Sequence, residues 1–198
     1  MEIKETARKY MDDLAKVLKV IDIGEIENFA KELGEAWEKN RNIFIMGNGG
    51  SGSTASHFAC DMNKGASLKL QKRFKVLCLN DNIPTMLAYA NDISYESIFV
   101  EQLKNYVCKD DLVIGISGSG NSKNILQAIE YANEAGARTF GITGFDGGKL
   151  KNIAQKSIII KSFDMQHVED CHLIVTHMMM QYFGGELGGI EVNAQILS

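Results

Sequence analysis

The chain has 198 residues, 45% of them hydrophobic, which is enough to bury a core of its own in one α/β domain. Its net charge of −4 offers no long-range pull toward nucleic acid or an anionic membrane surface. No apolar run reaches bilayer-spanning length, and the segment from Met1 to Tyr10 is charged and helical rather than signal-like.

In chain order, Ile3, Ala7, Met11, Leu14 and Leu18 recur at helical spacing, as do Ile26, Phe29, Ala30, Leu33, Ala36 and Trp37. Two helices therefore precede the first strand. Strands are predicted near 42–46, 74–79, 111–116, 138–142 and 157–161, with helical segments near 51–64, 84–90, 95–106, 122–135 and 148–155. This alternation predicts a parallel five-stranded sheet with helices on both faces. A last helix near 166–183 is apolar all round (Leu173, Ile174, Val175, Met178, Met179, Met180, Phe183), the pattern of a helix buried on every side. With the two leading helices, it is material for a subunit interface. Residues from Gly184 to Ser198 read as an irregular extension. Cys60, Cys78, Cys108 and Cys171 form no close pair, which predicts reduced thiols, packed as small buried hydrophobes, in a cytoplasmic protein.

Two loops carry the ligand signal: Gly47-Asn48-Gly49-Gly50-Ser51 and Ser117-Gly118-Ser119-Gly120-Asn121-Ser122. Each follows a β-branched apolar run and opens a helical stretch, so backbone N–H groups and the positive end of a helix dipole meet there. Ser51, Ser117, Ser119 and Ser122 add hydroxyl donors for phosphate oxygens. In a parallel sheet both loops sit at the carboxyl edge, where ligands collect. No P-loop lysine followed by Ser/Thr is present, and Lys123 leaves the dinucleotide fingerprint incomplete. The ligand expected is a small phosphate ester.

Histidines and carboxylates form the second constellation. His57 and Asp61 are one helical turn apart and share a face. Glu169 and His172 lie one turn apart on the last helix, whereas Glu169 and His177 differ by about 80°, close enough to line one cleft. His172 and His177 are about 140° apart and do not act together. Such residues hold zinc or a similar ion, or serve as acid and base, and spacing alone leaves both roles open alongside simple packing.

The first loop with His57 and the acidic residue at 61 resembles the phosphoheptose isomerases, members of the sugar isomerase (SIS) domain proteins. The similarity continues through Asn91-Asp92 with Tyr95 and Phe99, Ser117 to Ser122, Thr143-Gly144 with Gly147-Gly148, and Glu169 to His177. The resemblance implies one SIS domain over residues 1–198, with 1–40 as an N-terminal helical extension and the outer helices forming an oligomer bundle. It implies a homotetramer with active sites between subunits, and isomerisation of sedoheptulose 7-phosphate to D-glycero-D-manno-heptose 7-phosphate for surface-glycan heptose. By position, Ser117, Gly118, Ser119 and Ser122 would hold the phosphate, Asn48, Gly49, Gly50 and Ser51 would border the sugar, and Asn91 and Asp92 would bind its hydroxyls. Asp61 would be the base, with Glu169 the competing candidate, and His177 the acid. His57, Asp61, Glu169 and His177 would hold one zinc ion per site. Asp61, Glu169 and Gly118 depart from the family's glutamate, glutamine and threonine, and imply a variant site. An isomerase of another ketose phosphate, a non-catalytic sugar-phosphate binder and an assembly scaffold stand as alternatives; the scaffold leaves both Ser-rich loops without a purpose.

Overall fold

The computed structural model describes residues 2–189. Two helices, α1 (Ile3–Lys19) and α2 (Ile23–Glu38), lead into strand β1 (Ile43–Gly47) and helix α3 (Gly50–Cys60). Then come β2 (Val76–Cys78), α4 (Ile83–Asp92), α5 (Val100–Tyr106), β3 (Leu112–Ser117) and α6 (Lys123–Glu134). The chain ends through β4 (Arg138–Gly144), α7 (Leu150–Ile153), β5 (Lys156–Ile160) and α8 (Met165–Glu186).

All strand pairs are parallel, in the order β2-β1-β3-β4-β5, as the alternating pattern predicts. Parallel strands need crossover helices, which cover both faces of the sheet and leave its strands apolar throughout. Successive side chains divide accordingly. Ile43, Ile45, Leu112, Ile114, Ile116, Phe140 and Ile142 pack with Phe29, Leu33, Phe58, Val168 and Val175. Phe44, Met46 and Val113 point the other way, onto Ile125, Ile129, Leu103 and Leu150.

Two predicted helices are broken differently from the sequence reading. The segment expected at 51–64 is α-helical only to Cys60, then passes into a π-helical stretch, Asp61–Ala66. That stretch brings Asn63 to the exposed edge strand: Val76 donates its N–H to Asn63 Oδ1 (3.0 Å) and accepts from Asn63 Nδ2 (2.7 Å). One side-chain amide thus occupies main-chain groups that would otherwise invite another strand. The segment expected at 95–106 splits into a 3₁₀ turn, Tyr95–Ser97, and α5.

The last helix also departs from expectation. It runs through Gly184 and Gly185 to Glu186, residues 187–189 follow as a turn, and the remainder of the expected irregular tail, 190–198, lies outside the described residues. It is not buried on every side: Met179 and Phe183 are covered, but Met178 and Tyr182 are 39% and 51% exposed. Beside them a cavity of 610 Å³ runs between α2 and α8, with Ile26, Ala30, Trp37, Met179 and Phe183 in its walls. α1 has no fully buried residue, and its Ile3 and Met11 face solvent. Of the four free cysteines only Cys171 is buried; Cys60 and Cys108 are exposed, which corrects their reading as small core hydrophobes. Lys72, in the loop before β2, lies 4.8 Å above the Trp37 ring and donates to the Glu38 carbonyl oxygen, so it pins that loop to α2.

Candidate active site

At the carboxyl edge of the sheet, β1 and β3 end in the two Gly/Ser loops, and α3 and α6 start from them. Neither helix has a side-chain cap: Gly49 (φ +53°) precedes α3, and Ser122 precedes α6 without bonding back to its first turn. Asn124 Oδ1 takes the Ile125 N–H (3.0 Å) and the Asn48 carbonyl the Gly52 N–H (3.3 Å), so the N–H groups of the first two residues of each helix are the ones left for a ligand. The Ser122 hydroxyl instead lies 3.1 Å from Ser117 Oγ. Between the loops lies a cavity of 140 Å³, lined by Asn48, Ser51, Ser117, Gly118, Ser119 and Ser122 together with Ile116, Met165 and Glu169.

The loops are braced on three sides. The Asn80 side chain accepts from the Gly47 N–H (3.1 Å) and donates to the Gly47 carbonyl (2.7 Å), holding the end of β1. Asn48 and Asn124 exchange two amide hydrogen bonds, 2.9 Å and 2.8 Å, and the Tyr95 hydroxyl donates to Asn48 Oδ1 at 2.9 Å. Gly120 takes a left-handed backbone, φ +64°, and a Cβ there would lie 2.1 Å from the Gly147 carbonyl oxygen. The 144–148 loop therefore supports the serine loop from behind, and its Gly144 N–H donates to the Gly118 carbonyl at 2.9 Å.

α8 runs alongside α3 in the same direction, touching it at two levels. At the first, Glu169 lies over Gly50, where a Cβ would be 2.6 Å from Glu169 Oε2. Glycine at 50 is what lets the carboxylate reach the cavity. About two helical turns further on, His57 Nε2 and His177 Nε2 stand 3.0 Å apart. Asp61 Oδ2 is 3.2 Å from the first ring nitrogen and 3.7 Å from the second. That oxygen is buried, with no hydrogen-bond partner among the described residues. His57, Asp61 and His177 thus offer donor atoms within 4.8 Å of one another, a set able to hold a metal ion.

The sequence reading grouped four residues around an ion; the structure gathers three, and Glu169 lines the cavity at the other level. His172, one turn from Glu169, is fully buried, and its Nε2 donates to the Thr143 carbonyl at 3.0 Å. Burial pushes this imidazole down to about 4, so it packs as a neutral ring. Asn91 and Asp92 sit exposed at the end of α4, hydrogen-bonded to each other at 2.8 Å and outside the cavity wall. Asn80, Asn124 and Met165 were not singled out from the sequence. Asn124 extends the polar loop run, but nothing in its spacing separates a clasp from an ordinary asparagine in a first helical turn.

A parallel five-stranded α/β sheet with paired Gly/Ser loops at its carboxyl edge is the architecture of a sugar isomerase (SIS) domain, and the SIS domain family profile matches residues 9–144. The chain belongs to the SIS domain family, within the phosphoheptose isomerases. The phosphoheptose isomerase of Helicobacter pylori is 35% identical over 176 residues, covering 89% of this chain and 87% of the relative. A probable phosphoheptose isomerase of Thermoplasma acidophilum is 32% identical over 173 residues, covering 87% and 94%. In fold, the structure of a phosphoheptose isomerase from Francisella tularensis superposes with a TM-score of 0.85 at 22% identity, covering 92% of this chain and 98% of that one.

Proposed function

We propose that this protein is a phosphoheptose isomerase that interconverts sedoheptulose 7-phosphate and D-glycero-D-manno-heptose 7-phosphate. One observation carries the reading: the anion cradle and the imidazole–carboxylate cluster lie on the same pair of helices, at a fixed spacing. From Gly50 to His57 is seven residues along α3, roughly 10 Å at the helical rise. An extended chain gains about 1.2 Å per backbone bond, so the eight bonds from phosphorus to the first carbon of a heptose 7-phosphate span roughly 10 Å as well. Phosphate held by Ser117, Ser119, Ser122 and the open helix starts places the carbonyl end beside Asp61 and His177.

Aldose–ketose interconversion removes a proton from the carbon beside the carbonyl and returns one to the neighbouring carbon. In our reading Asp61 takes that proton, and its unpartnered Oδ2 suits the part. His177 protonates the carbonyl oxygen, giving an enediol. Glu169 is the competing base, though its place by the cradle fits contact with the phosphate-proximal hydroxyls better. Asn48 borders the sugar with Gly49, Gly50 and Ser51; Asn91 and Asp92, exposed at the end of α4 and outside the cavity wall, would meet only hydroxyls that project beyond it. Phosphate binding at the far end turns remote binding energy into orientation.

The three-residue cluster also fits zinc. Zinc–ligand bonds of about 2.0–2.1 Å give tetrahedral ligand separations of about 3.3–3.4 Å, which the observed 3.0, 3.2 and 3.7 Å bracket. His57, Asp61 and His177 would hold the ion in place of, not together with, the proton-transfer roles of Asp61 Oδ2 and His177, and when bound it would supply Lewis acidity toward the substrate's carbonyl oxygen. The exposed apolar side chains of α1 and α8 support burial of these helices against other subunits in a homotetramer. Residues 1–198 then act as one domain with 1–40 as its helical extension, and the exposed free Cys60 and Cys108 suit a reducing cytoplasm.

The test is turnover of sedoheptulose 7-phosphate, followed by appearance of the aldose, with and without added zinc. His177→Gln is expected to abolish it while sugar-phosphate binding persists. Undiminished turnover in that variant refutes the assignment of the acid. A five-carbon ketose phosphate used in preference refutes the spacing argument, and binding without turnover leaves the non-catalytic reading.

A further inference from the structure

We propose that Asn80 is a positioning residue for the sugar-bordering loop: its side-chain amide sets the peptide plane from which Asn48 to Ser51 depart. The inference rests on the reading of that loop as the sugar's border and adds what holds it in shape. β1 and β2 run in parallel register as far as Ile45 opposite Cys78, so the next positions in step are Met46 with Leu79 and Gly47 with Asn80. The main-chain ladder stops short of that last pair. Leu79 donates its N–H to the Ile45 carbonyl at 2.9 Å, and the chain then turns away, with the Asp81 N–H on the Cys78 carbonyl at 3.3 Å. The Asn80 side chain takes over both main-chain groups of Gly47: Oδ1 accepts from its N–H at 3.1 Å and Nδ2 donates to its carbonyl at 2.7 Å.

Gly47 has little to restrain itself with. A Cβ there would lie 2.5 Å from the Ser51 backbone, so the position is confined to glycine, the residue freest in φ and ψ. The bond from Asn80 Nδ2 fixes the plane of the peptide between 47 and 48, and with it the direction in which Asn48 leaves toward Asn124 and Tyr95. α3 presses on the amide from its other side: a Cβ at Gly52 would lie 3.0 Å from both Asn80 Nδ2 and the Gly47 carbonyl oxygen. The Cys78 thiol, 3.7 Å away, donates to Asn80 Oδ1, and burial pushes that thiol up to about 12, so it keeps its proton. Two donors on Oδ1 and one carbonyl on Nδ2 leave the amide a single orientation, since a flip would set oxygen against oxygen. Asn80 lies outside the cavity wall, so it acts on a ligand there only through the loop.

The test sets sedoheptulose 7-phosphate against orthophosphate on the full-length protein, by turnover and by calorimetry, below the melting temperature of each variant. Asn80→Ala is expected to lower kcat/KM about tenfold and to weaken sugar-phosphate binding about fivefold or more, the scale of one lost hydrogen bond. Orthophosphate is expected to stay within about twofold of wild type, because the hydroxyl donors Ser117, Ser119 and Ser122 stand on the other loop. A general loss of structure would weaken both ligands together. Asn80→Asp keeps the shape but sets a carboxylate oxygen against the Gly47 carbonyl, and is expected to lose at least as much as Asn80→Ala. Gly52→Ala leaves Asn80 in place, gains helix propensity and crowds the amide from α3; kcat/KM is expected to fall severalfold without loss of stability. In an Asn48→Ala background Asn80→Ala is expected to cost far less, a non-additivity that action through the loop requires. Equal weakening of the two ligands in Asn80→Ala, wild-type kcat/KM in Asn80→Asp, or additive effects at 48 and 80 overturns this inference alone. A wild-type protein that binds the sugar phosphate without turning it over overturns the isomerase reading, and the ratio of the two affinities then decides the inference. Wild-type binding of the sugar phosphate no tighter than orthophosphate removes the loop's sugar role and this inference with it.

Discussion

Asn124→Ala probes the joint between the two loops. Asn124 is 2% exposed, and its amide exchanges hydrogen bonds of 2.9 Å and 2.8 Å with Asn48. Asn124 Oδ1 also accepts from the Ile125 N–H at 3.0 Å; each of the two bonds to Asn48 contributes about 1 kcal/mol net, so the substitution costs at least about 2 kcal/mol. The half-buried Asn48 amide regains some water, and Tyr95 still donates to its oxygen, which keeps the cost near that figure. For a chain of 198 residues, 2 kcal/mol lowers the melting temperature by about 4–8 °C. The greater effect falls on activity, because Asn48 belongs to the loop that borders the sugar. A displacement on the order of 1 Å there lowers kcat/KM by up to about 10²-fold. Differential scanning calorimetry and steady-state kinetics measure both, and Asn48→Ala with the double variant closes a thermodynamic cycle. If the clasp acts as argued, the double variant is less destabilised than the two single effects combined. A melting temperature within 1 °C of wild type together with kcat/KM within about twofold refutes the reasoning.

Three further outcomes follow from other parts of the molecule. Gly50→Ala puts a Cβ 2.6 Å from Glu169 Oε2, so the carboxylate must leave the cavity; we expect turnover to fall about tenfold or more. The same change gains helix propensity at the start of α3, so thermal melting should show no loss of stability, and a large drop refutes the local account. Glu32→Ala removes a buried carboxylate that pairs with Arg138 Nη1 and Lys156 Nζ, both at 2.7 Å. With Lys156 43% exposed, a loss of about 2–3 kcal/mol is expected in urea denaturation, with unchanged KM because the cluster lies at the opposite edge of the sheet. His172, held near 4 against an ordinary 6.5, is neutral in the fold, so the unfolded chain binds the extra proton between those values. Its contribution, about 3 kcal/mol, is complete above pH 6.5 and lost as pH falls toward 4; denaturation midpoints against pH should show this slope, and His172→Gln should flatten it.

Periodicity and composition were sufficient for the sheet, its five strands and the helices that cover it, because each strand's apolar run and each helix's stripe is a local record of burial on the faces of one sheet. The two Gly/Ser loops were equally legible: small residues at a strand-to-helix junction are required by the backbone itself. So was the pairing of His57 with Asp61, since one helical turn separates them in any α-helix. Tertiary packing decided the rest. His177 could be placed against His57 only once α8 was laid along α3, 120 residues away in the chain. The same packing sent Glu169 to Gly50 and away from the imidazoles, turned Asn124 into a clasp, and set Met165 where Gly118 leaves room. Helical spacing says which side chains share a face, but not which neighbour that face will meet, because the crossing of two helices depends on the shapes of both.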